Sequence, residues 1–128
     1  MRTSGSTLEL SASDLSWFLG CRHRTALDLA VVHGQREAPN WIDPVIALLQ
    51  ERGLAHERRY ADSLRAQGLT VVDLADYSGE DVVNRSLSAM RSGTNVILQS
   101  ALRNDRWFGR PDVLCRVDTP SAFGPWSY

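Results

Sequence analysis

His56 and Glu57 stand side by side in "ERGLAHERRYADSLRAQG", and Asp112 stands in "RWFGRPDVLCRVD". An imidazole and two carboxylates can ligate a divalent cation, because carboxylate oxygens suit Mg²⁺ and an imidazole nitrogen shifts the preference toward Mn²⁺. Each residue has a plainer reading as well. A histidine and a glutamate at the margin of a helical core are commonly held by backbone hydrogen bonds, and an aspartate after a proline commonly sits in a turn. Residue type and spacing leave both readings open.

The elements that must position these groups can be read from periodicity. "IDPVIALLQERGLAHERRYADSLRAQG" is the strongest helix pattern, with Pro44 suited to its first turn and Gly68 to its end. With Gly53 as origin and about 100° per residue, Ile46, Leu49, Tyr60 and Leu64 fall within about 40° of it. His56 then lies at about −60° and Glu57 at about +40°, so both border the apolar stripe while Arg58 and Arg59 point elsewhere. The run "TNVILQSALRNDRWFGRPDVLCRVD" reads as two strands joined by a turn at Arg103-Asn104-Asp105. Strand alternation places Asp112 on one face with Phe108 and Leu114, and Cys115 on the other as a core residue. A carboxylate on a packed face needs a partner or a cation. Pro111 lacks an amide, which puts this point at a sheet edge or a bulge.

The rest of the chain supplies a scaffold. "SASDLSWFLGCRHRTALDLAVVHG" reads as one helix, capped by Ser11 or Ser13, with Asp14 in its first turn and Gly34 as its stop. "LTVVDL" is a short strand, and "YSGEDVVNRSLSAMRSG" is an amphipathic helix burying Val82, Val83, Leu87 and Met90 and ending at Gly93. "TPSAFGPWSY" reads as a loop leading toward a further strand. Helices and strands in this order predict an α/β or α+β fold, with α/β preferred.

Composition sets the bounds. The 128 residues are 43% hydrophobic and 23% charged, with a formal net charge of −1, which suits a globular chain without a global basic field. A local basic groove remains compatible with that total. All 14 Lys+Arg residues are arginine, so no mechanism that needs a lysine ammonium can be completed by these residues. Two distant cysteines, Cys21 and Cys115, make neither a disulfide framework nor a zinc site and point to a reducing cytoplasm. No signal peptide or membrane span is expected.

Three segments together, "LSASDLSWFLGCRHRTALDLA", "ERGLAHERRYADSLRAQG" and "ILQSALRNDRWFGRPDVLCRVDTPSAFGPWSY", resemble the N-terminal part of the RecB-like nucleases of the PD-(D/E)xK superfamily. The resemblance runs from about Leu8 to Tyr128. It implies residues 1–40 as a helical lead-in and 41–128 as a partial restriction-endonuclease-like core. That core would hold a small mixed or antiparallel sheet and break off before the last catalytic strand. It implies a metal-dependent DNA nuclease in which His56 and Asp112 bind Mg²⁺ or Mn²⁺ and Glu57 supports them. The cation would activate water and stabilise charge on the phosphate. The family's acid–x–lysine strand should follow "PSAFGPWSY", where this sequence ends, so the resemblance implies a fragment that is inactive alone. A helicase or further nuclease region would follow in a longer protein.

Some members hold an iron–sulfur cluster, for which Cys21 would be the upstream ligand and the other cysteines would lie beyond Tyr128. Single-stranded DNA or duplex ends are the implied partners. Arg22, Arg59, Arg106 and Arg110, with Arg24, Arg58 and Arg103, are candidates to track a phosphate backbone. Trp17, Trp41 and Trp107 are candidates to stack on bases. The alternative is a nucleic-acid-binding or structural module with this fold and no chemistry.

Overall fold

The structure, a computed structural model, describes residues 1–5, 7–40 and 44–128. Two units form by contact, one joining Met1–Trp41 to Arg103–Gly109 and one joining Ile42–Leu102 to Arg110–Tyr128. The mixture of helices and small sheets is that of an α/β chain.

In the first unit, β1 (Arg2–Ser4) pairs antiparallel with β2 (Thr7–Glu9), placing Arg2 opposite Glu9. Ser11 opens α1 (Ala12–Gly20) with a capping box: its hydroxyl accepts from the Asp14 amide, and the Asp14 carboxylate accepts from the Ser11 amide at 2.7 Å. The Met1 ammonium donates to the same carboxylate at 2.6 Å. Burial works to raise the Asp14 carboxyl, but the bonds from Met1 and Ser11 outweigh it and hold the group below its usual range. Glu9, also buried, accepts from Arg2 and Arg103, which lower its carboxyl in the same way. Both guanidiniums lie over the Phe108 ring.

The single helix expected over residues 11–34 is two helices, α1 and α2 (Arg22–Val32). Cys21 between them is extended, with φ −159° and ψ 101°. Gly20 is a weak helix former, and Cys21 serves both ends. Its amide donates to Trp17 to finish α1, and its carbonyl accepts from Thr25 to begin α2.

The second unit is built on α3 (Pro44–Ala66), β3 (Val71–Asp73), α4 (Gly79–Arg91) and β4 (Val96–Leu98). β3 and β4 are parallel, joined through α4, and β7 (Val113–Cys115) completes the sheet antiparallel to β4, in the order β3-β4-β7. Val96 and Leu98 pack with Ala61 and Leu64 of α3, and Leu69, Val71 and Val113 join them. Alternation sends fully buried Ile97 to the other face, where α4 meets β4 and buries Val82, Val83, Ala89 and Met90. Burying a side chain the size of Ile97 or Val82 is worth about 1.5–3 kcal/mol.

α2, α3 and α4 end in the same way, at Gly34, Gly68 and Gly93. In each, the glycine amide and the amide after it bond back to the last turn, the Schellman arrangement.

The expected pair of long strands is four short ones: β4, β5 (Leu102–Asn104), β6 (Trp107–Gly109) and β7. β5 and β6 form a hairpin turning at Asp105, one residue later than the centre of the expected turn. Leu10 bonds to it on either side of Trp107. Left-handed backbone at Gln99 ends β4, and Pro111 falls in the break before β7. Asp112 therefore shares no strand face with Phe108, and it is exposed. Cys115, expected in the core, is exposed as the last residue of an edge strand.

"TPSAFGPWSY" is not a simple loop outward. Val117 pairs with Ser127, the Trp126 indole N–H donates to the Met90 carbonyl at 2.9 Å, and the Tyr128 hydroxyl donates to the Thr94 carbonyl at 2.6 Å. The segment thus closes over the C-terminal end of α4.

Candidate functional site

The C-terminal ends of parallel β3 and β4 open into a cleft of about 550 Å³. In open α/β sheets this is where ligands are usually held. β3 contributes Asp73, its last residue, and the segment after β4 contributes Gln99. α3 contributes Glu57, Arg58 and the apolar Leu54 and Ala61, and the break before β7 contributes Arg110 and Asp112. Three carboxylates and two guanidiniums thus surround a partly apolar floor.

Glu57 reaches the cleft because of the rotation of α3. The buried side of that helix runs through Gly53, Glu57, Ala61 and Leu64. Its centre lies roughly 35° from Gly53 on the Glu57 side and about 95° from His56. His56 is exposed and is not among the residues lining the cleft. Ile46, Leu49 and Tyr60, expected on the buried stripe, are more than 40% exposed. Arg58, expected to point away, lines the cleft, whereas Arg59 is exposed and its Nε donates to the Ala55 carbonyl of its own helix.

Gln99 ties the walls together. Its side-chain amide donates to Glu57 Oε2 at 3.2 Å, its backbone amide donates to the Asp112 carbonyl at 2.9 Å, and its carbonyl accepts from Arg110 Nη2 at 3.1 Å. Asp73 Oδ1 accepts from the Ala75 amide at 3.0 Å and turns the chain out of β3.

The oxygen ligands suit a hard cation, but their placement does not make a complete site. Among the described residues, no three His, Cys, Asp or Glu side chains gather closely enough to hold a metal ion. The pair His56 and Asp112 is not brought together in the cleft; Glu57 and Asp112 are. An iron–sulfur cluster takes four thiolates, and the sequence has two cysteines. Both are exposed, Cys21 at the α1–α2 corner and Cys115 on β7.

The candidate backbone-tracking arginines fall in both units. In the first, Arg22 lies over the Phe18 ring, Arg24 lies 3.8 Å over the Trp17 ring, and Arg103 is joined to Glu9. Arg106 is exposed in the hairpin turn, and Trp17 and Trp107 are about 40% exposed. In the second unit, Arg58 and Arg110 share the cleft. Trp41 lies outside the described residues.

Asp73 and Gln99 are absent from the candidates that residue type and spacing offer. The carboxylate that follows the apolar run in "LTVVDL" is a usable signal, because the end of a parallel strand is where such a group reaches a ligand. Gln99 carried none, since its role comes from a backbone conformation. No helix is long and apolar enough to cross a membrane, among the described residues. Compared with protein-family models, curated proteins and solved structures, the chain matches none.

Proposed function

We propose that the cleft of the second unit receives a phosphodiester backbone and that the chain is the acid-bearing part of a metal-dependent DNA nuclease of the RecB-like kind. One observation carries this reading. Glu57 and Asp112, singled out by the resemblance and far apart in the sequence, line one cleft together with Arg58 and Arg110. Guanidiniums bind phosphate oxygens in a planar, two-toothed geometry. Carboxylates beside them would repel a phosphate unless a cation lay between. The chain has no lysine, so it is expected to bind DNA without cutting it.

The second reading is a nucleic-acid-binding module without chemistry. It is favoured by the lack of a three-ligand group among the described residues. A labelled single-stranded oligonucleotide, followed by fluorescence anisotropy, separates the two. Under either reading binding weakens with salt, and Arg58→Ala and Arg110→Ala each lower the slope of log K against log salt by about 0.7. Under the nuclease reading, Mn²⁺ uptake measured by electron paramagnetic resonance accompanies DNA binding and is lost in Asp112→Ala. Uptake unchanged by that substitution would refute the metal assignment and leave the second reading. Binding insensitive to salt would refute both.

A further inference from the structure

Two described non-glycine residues have left-handed backbone, Asp105 with φ 52° and Gln99 with φ 49°. The hairpin turn accounts for Asp105, since aspartate tolerates that region and such turns require it. Gln99 is different. It follows β4 directly, it has an unbranched side chain with no local bond to favour that conformation, and its neighbours Leu98 and Ser100 are buried. Strained backbone of this kind persists where surrounding contacts over-determine it, and it collects at functional sites. The contacts here are the three bonds that reach Glu57, Asp112 and Arg110, all of them cleft residues.

We infer that Gln99 is the positioning residue of the cleft. Its amide turns the Glu57 carboxylate to one orientation. Its N–H extends the β4–β7 ladder by one bond to the Asp112 carbonyl, and its left-handed backbone then turns its C=O to the Arg110 guanidinium. One residue thereby ties an acid from α3 to an acid and a guanidinium from the β6–β7 break. A regular residue at 99 would continue β4, keep the bond to Asp112 and turn its C=O away from Arg110. The inference rests on the reading that the cleft receives a phosphodiester backbone. It adds that the presentation of the acids, and hence the affinity, is set by a residue that does not itself bind phosphate.

Two substitutions test it. Gln99→Gly accepts φ 49° without strain and removes the side-chain tie to Glu57. Gln99→Ala removes the same tie and keeps the strain. Gln99→Gly should melt above Gln99→Ala. Both should bind single-stranded DNA about tenfold more weakly, because a Glu57 carboxylate released from Gln99 is free to pair with the cleft guanidiniums and compete with phosphate for them. Their salt slope should equal that of the wild type, because the arginine contacts remain. In both, the Glu57 carboxyl carbon resonance should move in the absence of DNA.

Wild-type affinity with an unmoved Glu57 resonance in Gln99→Gly would overturn the inference. So would Gln99→Gly melting below Gln99→Ala. If the wild-type chain binds no DNA, the functional reading fails, while the Glu57 resonance and the melting order still decide the positioning role.

Discussion

At Gly93 one added methyl group should be costly. This glycine follows α4 with φ 70°, and its amide bonds back to the Met90 carbonyl at 3.2 Å while Thr94 bonds to Ala89 at 3.2 Å. A Cβ at this position would stand 3.2 and 3.3 Å from Cζ2 and Cε2 of Trp126 and 3.5 Å from Arg116 Nη1. The ring has little room to yield. Its N–H is bonded to Met90, and a Cβ at Gly124 would meet its other edge at 3.1 Å, so the ring fits closely against both glycines.

In Gly93→Ala the left-handed conformation costs about 1–2 kcal/mol. Crowding of the ring adds roughly 1–3 kcal/mol. Restriction of the unfolded chain returns about 0.4–1 kcal/mol. The net loss is about 1–5 kcal/mol, centred near 3, a fall in melting temperature on the order of 10 °C or more for a unit of this size. Urea unfolding followed by far-UV circular dichroism measures it, and an unchanged denaturant slope certifies the comparison.

Gly93→Asn, which tolerates the left-handed region, should lose less than Gly93→Ala. In a Trp126→Leu background the alanine should cost about 1 kcal/mol less than in the wild type, the coupling expected of residues in contact. A loss below about 0.5 kcal/mol, or no coupling to Trp126, would refute the account of a ring held against two glycines.

Gly53→Ala should act in the opposite sense. Gly53 lies inside α3, and a Cβ there would meet nothing within 4 Å, so thermal melting should show a gain of about 0.5–1 kcal/mol. A destabilised variant would refute the account of open space beside Gly53.

Acid should loosen the first unit. Asp14 and Glu9 are held below their ordinary values of 3.8 and 4.5. Groups depressed in the folded state contribute stability above those values and lose it as pH falls through the lower folded ones. Melting temperature should therefore decline below about pH 4, and Asp14→Asn should flatten the decline. At neutral pH, Ser11→Ala should cost about 1 kcal/mol for the lost cap. An acid limb unchanged by Asp14→Asn would remove that carboxylate from the explanation.

The helix ends were legible because they depend on local physics. Gly34, Gly68 and Gly93 each supply the left-handed residue that a helix terminus can use, and Ser11 and Asp14 form a cap within four residues of chain. The buried side of α4, with Val82, Val83 and Met90, also follows from its own period. The break at Cys21 was less visible. One glycine in an otherwise helical pattern weakens a helix by only about 1 kcal/mol, and packing within the unit decides whether the helix turns there. The strands were harder still, because three-residue pieces give alternation too little length to separate a continuing strand from a bent one.

Residue order alone carries the mixture of helices and short strands, the places where three helices stop, and the grouping of His56, Glu57 and Asp112. Tertiary structure alone decided how α3 turns against its sheet. That turn set Glu57 and Arg58 in the cleft and His56 outside it, because Ala61 and Leu64 pack on Val96 and Leu98 while the larger apolar residues of the first turns stay exposed. It also decided that Gln99 matters. A left-handed glutamine has no signature in the letters around it, since its conformation is imposed by bonds to Glu57, Asp112 and Arg110, which only the fold brings within reach.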